Sequence, residues 1–404
     1  MTKFPLPAST FLTLELPQKD IGEIEALSSL LVEKTLGQYH EHEVVRRGVV
    51  NTTRWKRVKQ REDITVYKER ANGGAEGSFD RNTVTPSYGS AIPVLMGIGT
   101  IAGDLHDVMY GVLNATTEAM RIKSSYAEEG FLDGAVLATL IKPSIEDPLR
   151  SLTLRWCVKR NPIFMKPVVR MRDVVYIEST GIAYIKSGER IGYQLLHSVE
   201  LPGVHELTEY QIVRANVSFC YVYRQKTPET VDVFMRGILN PLGDVPPSVS
   251  VMSAAEALVS VSTNVHCAEM KKLMWLVRTA KSIRPVMAIA ASQCGICSQP
   301  FGSALSLKSS KKCCAVCLDE ICSKCRVSKK LSFISSLTYN EVSQTKFSFC
   351  TRCVKRAFAT SAIEIAADEI NDIRATFDES LFLTNGSDMT SPTSFSSDSG
   401  IYRI

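Results

Sequence analysis

The spacing of apolar positions changes period twice along this chain. From Ile21 to Leu36 the apolar residues Ile24, Leu27, Leu31 and Leu36 fall near one face at helical spacing, which predicts a helix. Beyond about Thr53 the period shortens. Short strands are predicted at Trp55 to Val58 and Ile64 to Tyr67, then a strand and a helix within Val94 to Leu113, with Asp104 capping the helix after Gly103. Further strands are predicted at Leu152 to Val158, Val168 to Ile177, Ile182 to Lys186, Ile191 to Val199, Tyr210 to Tyr223 and Val231 to Leu239. Within Tyr210 to Tyr223, Val213, Ala215, Val217, Phe219, Tyr221 and Tyr223 share one face, while Arg214, Asn216 and Ser218 share the other. That alternation marks a half-buried antiparallel strand. Asn240-Pro241-Leu242-Gly243 and Pro246-Pro247 end the strand region. Val251, Ala254, Leu258, Val261, Val265 and Ala268 then return to the helical period and predict one long helix from about Val249 to Ile283.

Consecutive strands closed by one long helix predict an α+β fold, a curved antiparallel sheet wrapped on its C-terminal helix. The space between them is either packed core or a ligand cavity. The run from Met96 to Gly103 spaces its glycines as in a dinucleotide fingerprint. A nucleotide-binding sheet needs repeated strand–helix alternation, which the following strands do not supply. Gly97 and Gly99 therefore mark a bulge or a close backbone approach.

At 404 residues the chain suits two domains and tails. A net charge of +5 makes no case for nucleic acid. The longest apolar run, Ala91 to Leu105, is broken by Pro93, Gly97, Gly99 and Gly103 and is too short to span a bilayer. The six histidines are scattered, and no nucleophile–base–acid set or carboxylate pair stands out. Cys157, Cys220 and Cys267 read as small core residues.

The other nine cysteines lie between Cys294 and Cys353. Eight form C-x-x-C pairs: Cys294/Cys297, Cys314/Cys317, Cys322/Cys325 and Cys350/Cys353. Such a turn brings two sulfurs to one side of a loop, and two pairs complete a tetrahedral Zn–S4 site. Four pairs predict two zinc ions. Four disulfides are the alternative. The opening MTKFPLPAST lacks the basic and apolar regions of a secretory signal, so a reducing, cytoplasmic setting and zinc are expected.

Three stretches carry a resemblance across about 230 residues. They are Asp63-Ile64-Thr65-Val66-Tyr67-Lys68, the run from Val168 to Tyr176, and Gly237-Ile238-Leu239-Asn240-Pro241-Leu242-Gly243 before the long helix. In order and spacing they resemble a StAR-related lipid-transfer (START) domain. The resemblance implies a helix-grip fold, a tunnel holding one lipid or sterol, and a C-terminal helix acting as a lid.

The run from Lys311 to Cys325 resembles the core of a FYVE zinc finger in its cysteine register, and Phe301 matches a common position of that family. The resemblance implies interleaved ligands, with Cys294, Cys297, Cys322 and Cys325 in site one and Cys314, Cys317, Cys350 and Cys353 in site two. Sequential pairing stays open on spacing alone. Cys313 is the spare thiol, standing where the family has its second histidine. The headgroup pieces of the family are largely replaced. No Trp-x-x-Asp precedes Cys294, Lys312 and Cys313 stand for the two histidines, Ala315 for an arginine, and Ser348-Phe349-Cys350 for Arg-Val-Cys. From Cys294 to Arg356 the formal charge is +8, falling to about +4 once eight thiolates and two Zn2+ are counted. Leu305, Leu307, Lys308, Lys311, Lys312 and Arg352 are therefore the candidate contacts to an anionic membrane.

The expected organisation is a flexible N-terminus (1–20), a helix-grip domain (21–285), a FYVE-like module (290–357), a short helix (358–377) and a disordered Ser/Thr-rich tail (378–404). The insert NGGAEGSFDRN is also expected to be disordered. In the short helix, Ile363, Ala366, Ile370, Ile373 and Phe377 suit either a dimer seam or packing on the chain's own domain. Taken together the two modules resemble the START–FYVE-like proteins of oomycetes. The expected function is non-enzymatic: lipid or sterol binding plus a zinc module that adapts to an endosomal membrane or a protein partner. Two rivals stay open, a protein-interaction scaffold with a filled grip domain and an enzyme using the grip cavity.

Overall fold

The computed structural model describes residues 4–371 apart from 8–9, 11–13, 71–91, 128–129, 160–169, 186–187, 202, 244, 284–291, 302–311 and 335–340. The expected disordered insert, residues 372–377 of the expected short helix and the tail lie outside the described residues.

The frame is a nine-stranded sheet. In spatial order it contains β1 (Trp55–Arg61), β2 (Ile64–Glu69), β3 (Leu95–Ala102), β9 (Thr230–Asn240), β8 (Val213–Thr227), β7 (Arg190–Ser198), β6 (Arg172–Tyr184), β5 (Ser151–Lys159) and β4 (Phe131–Ile141). Every neighbouring pair is antiparallel. Past the end of β7, β6 also runs parallel to β8, with Arg172–Val174 against Val213–Ala215. The β3–β9 pairing seats the start of the domain beside its end. On the other side of β3, the close approach of the β2 end needs Gly99, because a Cβ there would meet the Asp63 carbonyl oxygen at 2.0 Å.

Both faces of the sheet are covered. Helix α1 (Gln18–His40) lies on the convex face, where Leu31 and Val32 join Leu154, Trp156 and Ile177 in one core. The concave face carries α2 (Leu105–Val112), α3 (Thr117–Ala127), α4 (Pro247–Val259) and α5 (Asn264–Ile283). Asp104 caps α2, accepting the His106 N–H at 2.8 Å. The face of β8 expected to be solvated is therefore covered: Cys220 and Val222 are buried beneath α1 and its neighbours.

Four expectations are corrected. Within the expected flexible N-terminus, the described residues are anchored at two points: Leu6 is buried with its N–H on Asp133 Oδ2 at 2.7 Å, and the Leu14 N–H bonds the Leu137 carbonyl. The strands expected at 168–177 and 182–186 are one strand, β6. Its Ser179-Thr180-Gly181 stays in the ladder opposite β7, and Thr180 Oγ1 bonds Ser151 Oγ and the Leu149 carbonyl, each at 3.0 Å. The single long helix is two. A 3-10 turn, Ser260–Thr263, separates α4 from α5. There Ser260 and Thr263 each turn a hydroxyl onto a carbonyl three residues back at 2.7 Å, a local competition that bends helices. Finally, over the described part of the helix expected at 358–377, the chain forms the end of α6 (Thr351–Ala359) and a separate α7 (Ala362–Asn371). Thr360 is extended, which breaks them apart.

The cysteine module contains the pair β10 (Lys312–Cys313) and β11 (Glu320–Ile321), the hairpin β12 (Arg326–Ile334) and β13 (Val342–Cys350), and α6. After it the chain returns to the grip domain. Ala362, Ile365 and Ala366 of α7 are buried in the same core as Val108 and Tyr110. The face suited to a dimer seam is thus used on the chain's own domain through Ala366 and Ile363; Ile373 and Phe377 lie outside the described residues.

Candidate functional site

Alternation in the strands aims one set of side chains at the concave face. There Arg155 and Cys157 of β5, Tyr176 and Glu178 of β6, Gln194 and Leu196 of β7, and Val217 and Tyr221 of β8 meet α3 and α4 across a cavity of about 270 Å³. The cavity stays open because α4 presents small side chains to it. Ser250, Ser253, Ala254 and Ala257 stand where a leucine stripe would fill the gap. Met120 and Ala127 of α3 and Leu239 of β9 complete apolar parts of the wall.

One part of the wall is polar and deeply buried. Arg155 is 1% exposed and Glu178 3% exposed, and the two form an ion pair. Arg155 Nε donates to Thr153 Oγ1 at 2.7 Å, and its Nη2 donates to the Asn114 carbonyl at 2.9 Å. Gln194 Nε2 donates to Glu178 at 2.5 Å, and Tyr223 donates to Gln194 at 3.4 Å. A buried ion pair is tolerable only when its remaining lone pairs and protons are matched in this way. Nothing in the sequence pattern announced this cluster. Arg155 sits in the β5 stretch, where neighbouring residues are buried on both sides of the sheet.

The sulfurs of the second site gather in two interleaved groups. Cys294, Cys297, Cys322 and Cys325 form one, and Cys314, Cys317, Cys350 and Cys353 the other, each with all sulfurs within 4.8 Å of one another. Two of the spacings are 3.8 Å (Cys297–Cys322) and 3.7 Å (Cys317–Cys350). A tetrahedron of sulfurs about 2.3 Å from its centre has edges of about 3.8 Å, whereas a disulfide bond is about 2.05 Å. All twelve cysteines are free thiols. Backbone N–H groups point at these sulfurs: Cys322 to Cys294 Sγ at 3.4 Å, and Cys350 to Cys314 Sγ at 3.3 Å. Burial opposes ionisation of Cys294, but the backbone donors of Cys322, Cys297 and Ile296 bring it down to about 6. Cys314, bonded to the Cys317 thiol and to backbone N–H groups, falls to about 4. In the same groups Cys317 is pushed up by its bond to Cys314, and Cys325 and Cys353 are pushed up first by burial; it is the donor set and its spacing that fit a four-sulfur metal site.

Cys313 belongs to neither group and is exposed on β10. Lys312 is exposed as well. Arg352 is exposed but donates to Asp319 Oδ2 at 2.7 Å. Leu305, Leu307, Lys308 and Lys311 lie outside the described residues.

The two sites are joined physically. Met270, Leu273, Met274, Leu276 and Val277 of α5 share one core with Val316, Ile321, Leu331, Phe333 and Phe349 of the module. On the cavity side, Tyr126 of α3 accepts the Ser332 N–H at 2.6 Å, and Ser125 bonds Ser332 Oγ at 2.7 Å. Lys272 of α5, 2% exposed, pairs with Asp107 at 2.6 Å and donates to the carbonyls of Thr360 at 2.9 Å and Phe358 at 3.3 Å. That lysine ties α5, α2 and the end of α6 together.

No family model matches the chain, and no curated protein matches it in sequence. Among solved structures it is similar to the human StarD13 (DLC2) lipid transfer and protein localization domain, at 12% identity and a TM-score of 0.37, over 58% of this chain and 95% of that one. It is also similar to human STARD10, at 14% identity and a TM-score of 0.38, over 61% of this chain and 85% of that one. For human StAR-related lipid transfer protein 5 the identity is 15% and the TM-score 0.39, over 62% of this chain and 98% of that one.

Proposed function

We propose that the chain is a non-enzymatic lipid-binding protein whose grip cavity holds one molecule with an apolar body and a polar end, and whose cysteine module holds two zinc ions. The cavity carries this reading: apolar walls meet a prearranged polar cluster of Arg155, Glu178, Gln194 and Asn114. A volume of about 270 Å³ lies just below the usual range of ligand pockets, about 300–1,000 Å³, so a whole sterol or single-chain lipid exceeds the cavity as it stands. Such a ligand needs α4 to swing, and the bend at Ser260–Thr263 is the natural hinge. No histidine is among the described lining residues, and the Glu178 carboxylate is engaged by Arg155 and Gln194. The apolar stretches of the wall, with Met120, Phe131, Leu196, Val217 and Leu239, favour carriage of a lipid.

Cys294, Cys297, Cys322 and Cys325 would hold one zinc, and Cys314, Cys317, Cys350 and Cys353 the other. Four thiolates close the coordination shell, so the metals brace the fold and leave no position for a substrate. The module's remaining positive charge attracts anionic surfaces such as the cytoplasmic face of endosomes. It does not read the 3-phosphate, because Arg352 is held by Asp319 and the matching arginines and histidines are replaced. Native mass spectrometry of the intact chain tests the whole reading. Two zinc ions and a lipid-sized adduct that extracts into solvent are expected. Fewer than two metals with free thiols, or a ligand-free chain from a lipid-rich source, would overturn it.

A further inference from the structure

The grip cavity ends against a second, smaller cavity of about 140 Å³ beneath the start of α4. Leu239, Pro241, Val245, Ser250 and Ala254 line both, so one layer of side chains separates them. Strand β6 runs along the larger cavity. Its Arg172, Val174, Tyr176 and Glu178 fall at alternate positions, and all four line the wall. Glu178 stands six residues after Arg172, which at about 3.3 Å per residue is roughly 20 Å. The cavity is therefore long. The Arg155–Glu178–Gln194 cluster lies toward one end and Arg172 at the other.

The Arg172 end holds a cation matched only by neutral oxygens. Its Nε donates to the Pro241 carbonyl at 3.2 Å, its Nη2 to the Leu242 carbonyl at 3.1 Å, and its Nη1 to the Arg170 carbonyl. Burial, with Arg170 nearby, pulls it below the ordinary guanidinium value, and no carboxylate of the described residues offsets that. The turn it holds carries a second donor. Asn240 is 6% exposed and lines the smaller cavity. Its Oδ1 accepts the Leu242 N–H at 3.2 Å, while its buried Nδ2 meets no acceptor among the described residues. An unmatched buried donor is costly to keep. A guanidinium without a counter-charge and an amide without an acceptor, on one turn, are the complement of a carboxylate. The far end is different. There Arg155 and Glu178 cancel in charge and Gln194 adds an amide, which suits a neutral alcohol able to donate and accept.

We propose that the two cavities form one site for a long-chain fatty acid hydroxylated near its far end, with its carboxylate at Arg172 and Asn240 and its hydroxyl at the Arg155–Glu178–Gln194 cluster. The inference rests on lipid binding in the grip cavity and adds the chemistry of both ends. An extended hexadecanoyl chain matches the span along β6. The two volumes together, roughly 400 Å³, lie within the range of ligand pockets. Ser250 and Ala254 of the shared layer belong to α4, so movement of that helix about Ser260–Thr263 joins the compartments.

Titration of the full chain, stripped of co-purified lipid, with ω-hydroxyhexadecanoic acid, its methyl ester and hexadecanoic acid tests the site. Calorimetry and native mass spectrometry give the affinities. The hydroxy acid should bind tightest. Its ester keeps a carbonyl for Asn240 but brings no charge to Arg172, and should bind about tenfold more weakly. Hexadecanoic acid lacks the hydroxyl and should lose about fivefold. R172Q should erase the preference for acid over ester. Because Arg172 also holds the turn, N240D is the companion variant. It keeps the acceptor for the Leu242 N–H and puts a carboxylate where the unmatched donor was, so the acid should lose about tenfold and the ester less. Zinc content should match wild type in both. Equal affinity for acid and ester, or an unchanged preference in N240D, would overturn the inference and leave lipid carriage standing. So would a chain that yields a different lipid on extraction and takes up none of the three. A chain that neither yields a lipid nor binds any of the three would overturn both.

Discussion

Replacing Cys314 by serine should unfold more than the cysteine module. Cys314 is wholly buried, and its sulfur takes the Cys350 N–H at 3.3 Å. Structural zinc contributes an apparent 10–16 kcal/mol or so to small folds, so a site reduced to three thiolates leaves the module without its main support. The module covers Met270, Leu273, Met274, Leu276 and Val277 on α5. At about 1.5–3 kcal/mol for each fully buried side chain, that face carries on the order of 10 kcal/mol of gross burial. Once it meets water, the end of α5 becomes an unpacked helix terminus, which is marginal on its own. Helix α3 loses its bonds to Ser332 at the same time, and α3 is part of the cavity wall. Hydrogen exchange of the full chain should therefore show deprotection over 270–277 and 120–127 along with the module. Amides of β7 and β8 should stay near wild type. Because the module packs on α5, residues up to 283 do not fold independently of the cysteine sites. If 270–277 stays as protected as in wild type while the module exchanges freely, the claimed coupling is wrong.

Lys272→Met should cost about 3–5 kcal/mol in chemical denaturation, because it strands Asp107 without its partner, and adding Asp107→Asn should recover part of that; a loss below about 1 kcal/mol would show that the pair is not a tie. His197 is buried, and burial holds it down at about 4, below the unfolded value of 6.5, so the folded state binds fewer protons in that window. Stability is then fully present above pH 6.5 and lost as pH falls toward 4, by on the order of 3 kcal/mol; His197→Gln should flatten this part of the profile, and an unchanged slope would refute it. Ala257→Phe should fill the grip cavity, eliminating the lipid adduct in native mass spectra at nearly unchanged melting temperature, and a retained adduct would place the ligand elsewhere.

Much of the fold is legible in local pattern. The period-two run of β8 and the helical stripe from Val251 to Ala268 each report burial directly, and both stripes face the concave core. The cysteine spacing shows that sulfurs meet in fours. Which pairs meet depends on how the backbone folds between them, and there the interleaved grouping comes from the structure. Strand β4 escapes the pattern because Asp133-Gly134 interrupts it, and its register against β5 shifts three times. Asp133 is polar yet 2% exposed, held by Arg121 at 2.9 Å and by the Leu6 N–H. Arg155 and Glu178 are hidden in the same way. A charged residue in a strand reads as solvent-facing until its partner, 23 positions away, is brought opposite it. Lys272 is a third instance, a lysine on an otherwise amphipathic helix whose three partners come from two other segments.

Helix α7 puts Ile365 and Ala366 into the core that Val108 and Tyr110 begin, so the cysteine module is enclosed between two pieces of one domain. On the ribosome this imposes an order of events. The grip sheet can pair once β9 has emerged, but its core stays short of one wall until α7 has emerged in turn, after every cysteine has left the tunnel. The metal loading proposed for the module would therefore fall within the interval between sheet pairing and final closure. A nascent chain that fails to acquire metal reaches α7 with no fixed platform to bring it home, and the exposed faces of α2 and α5 become the natural target of chaperones.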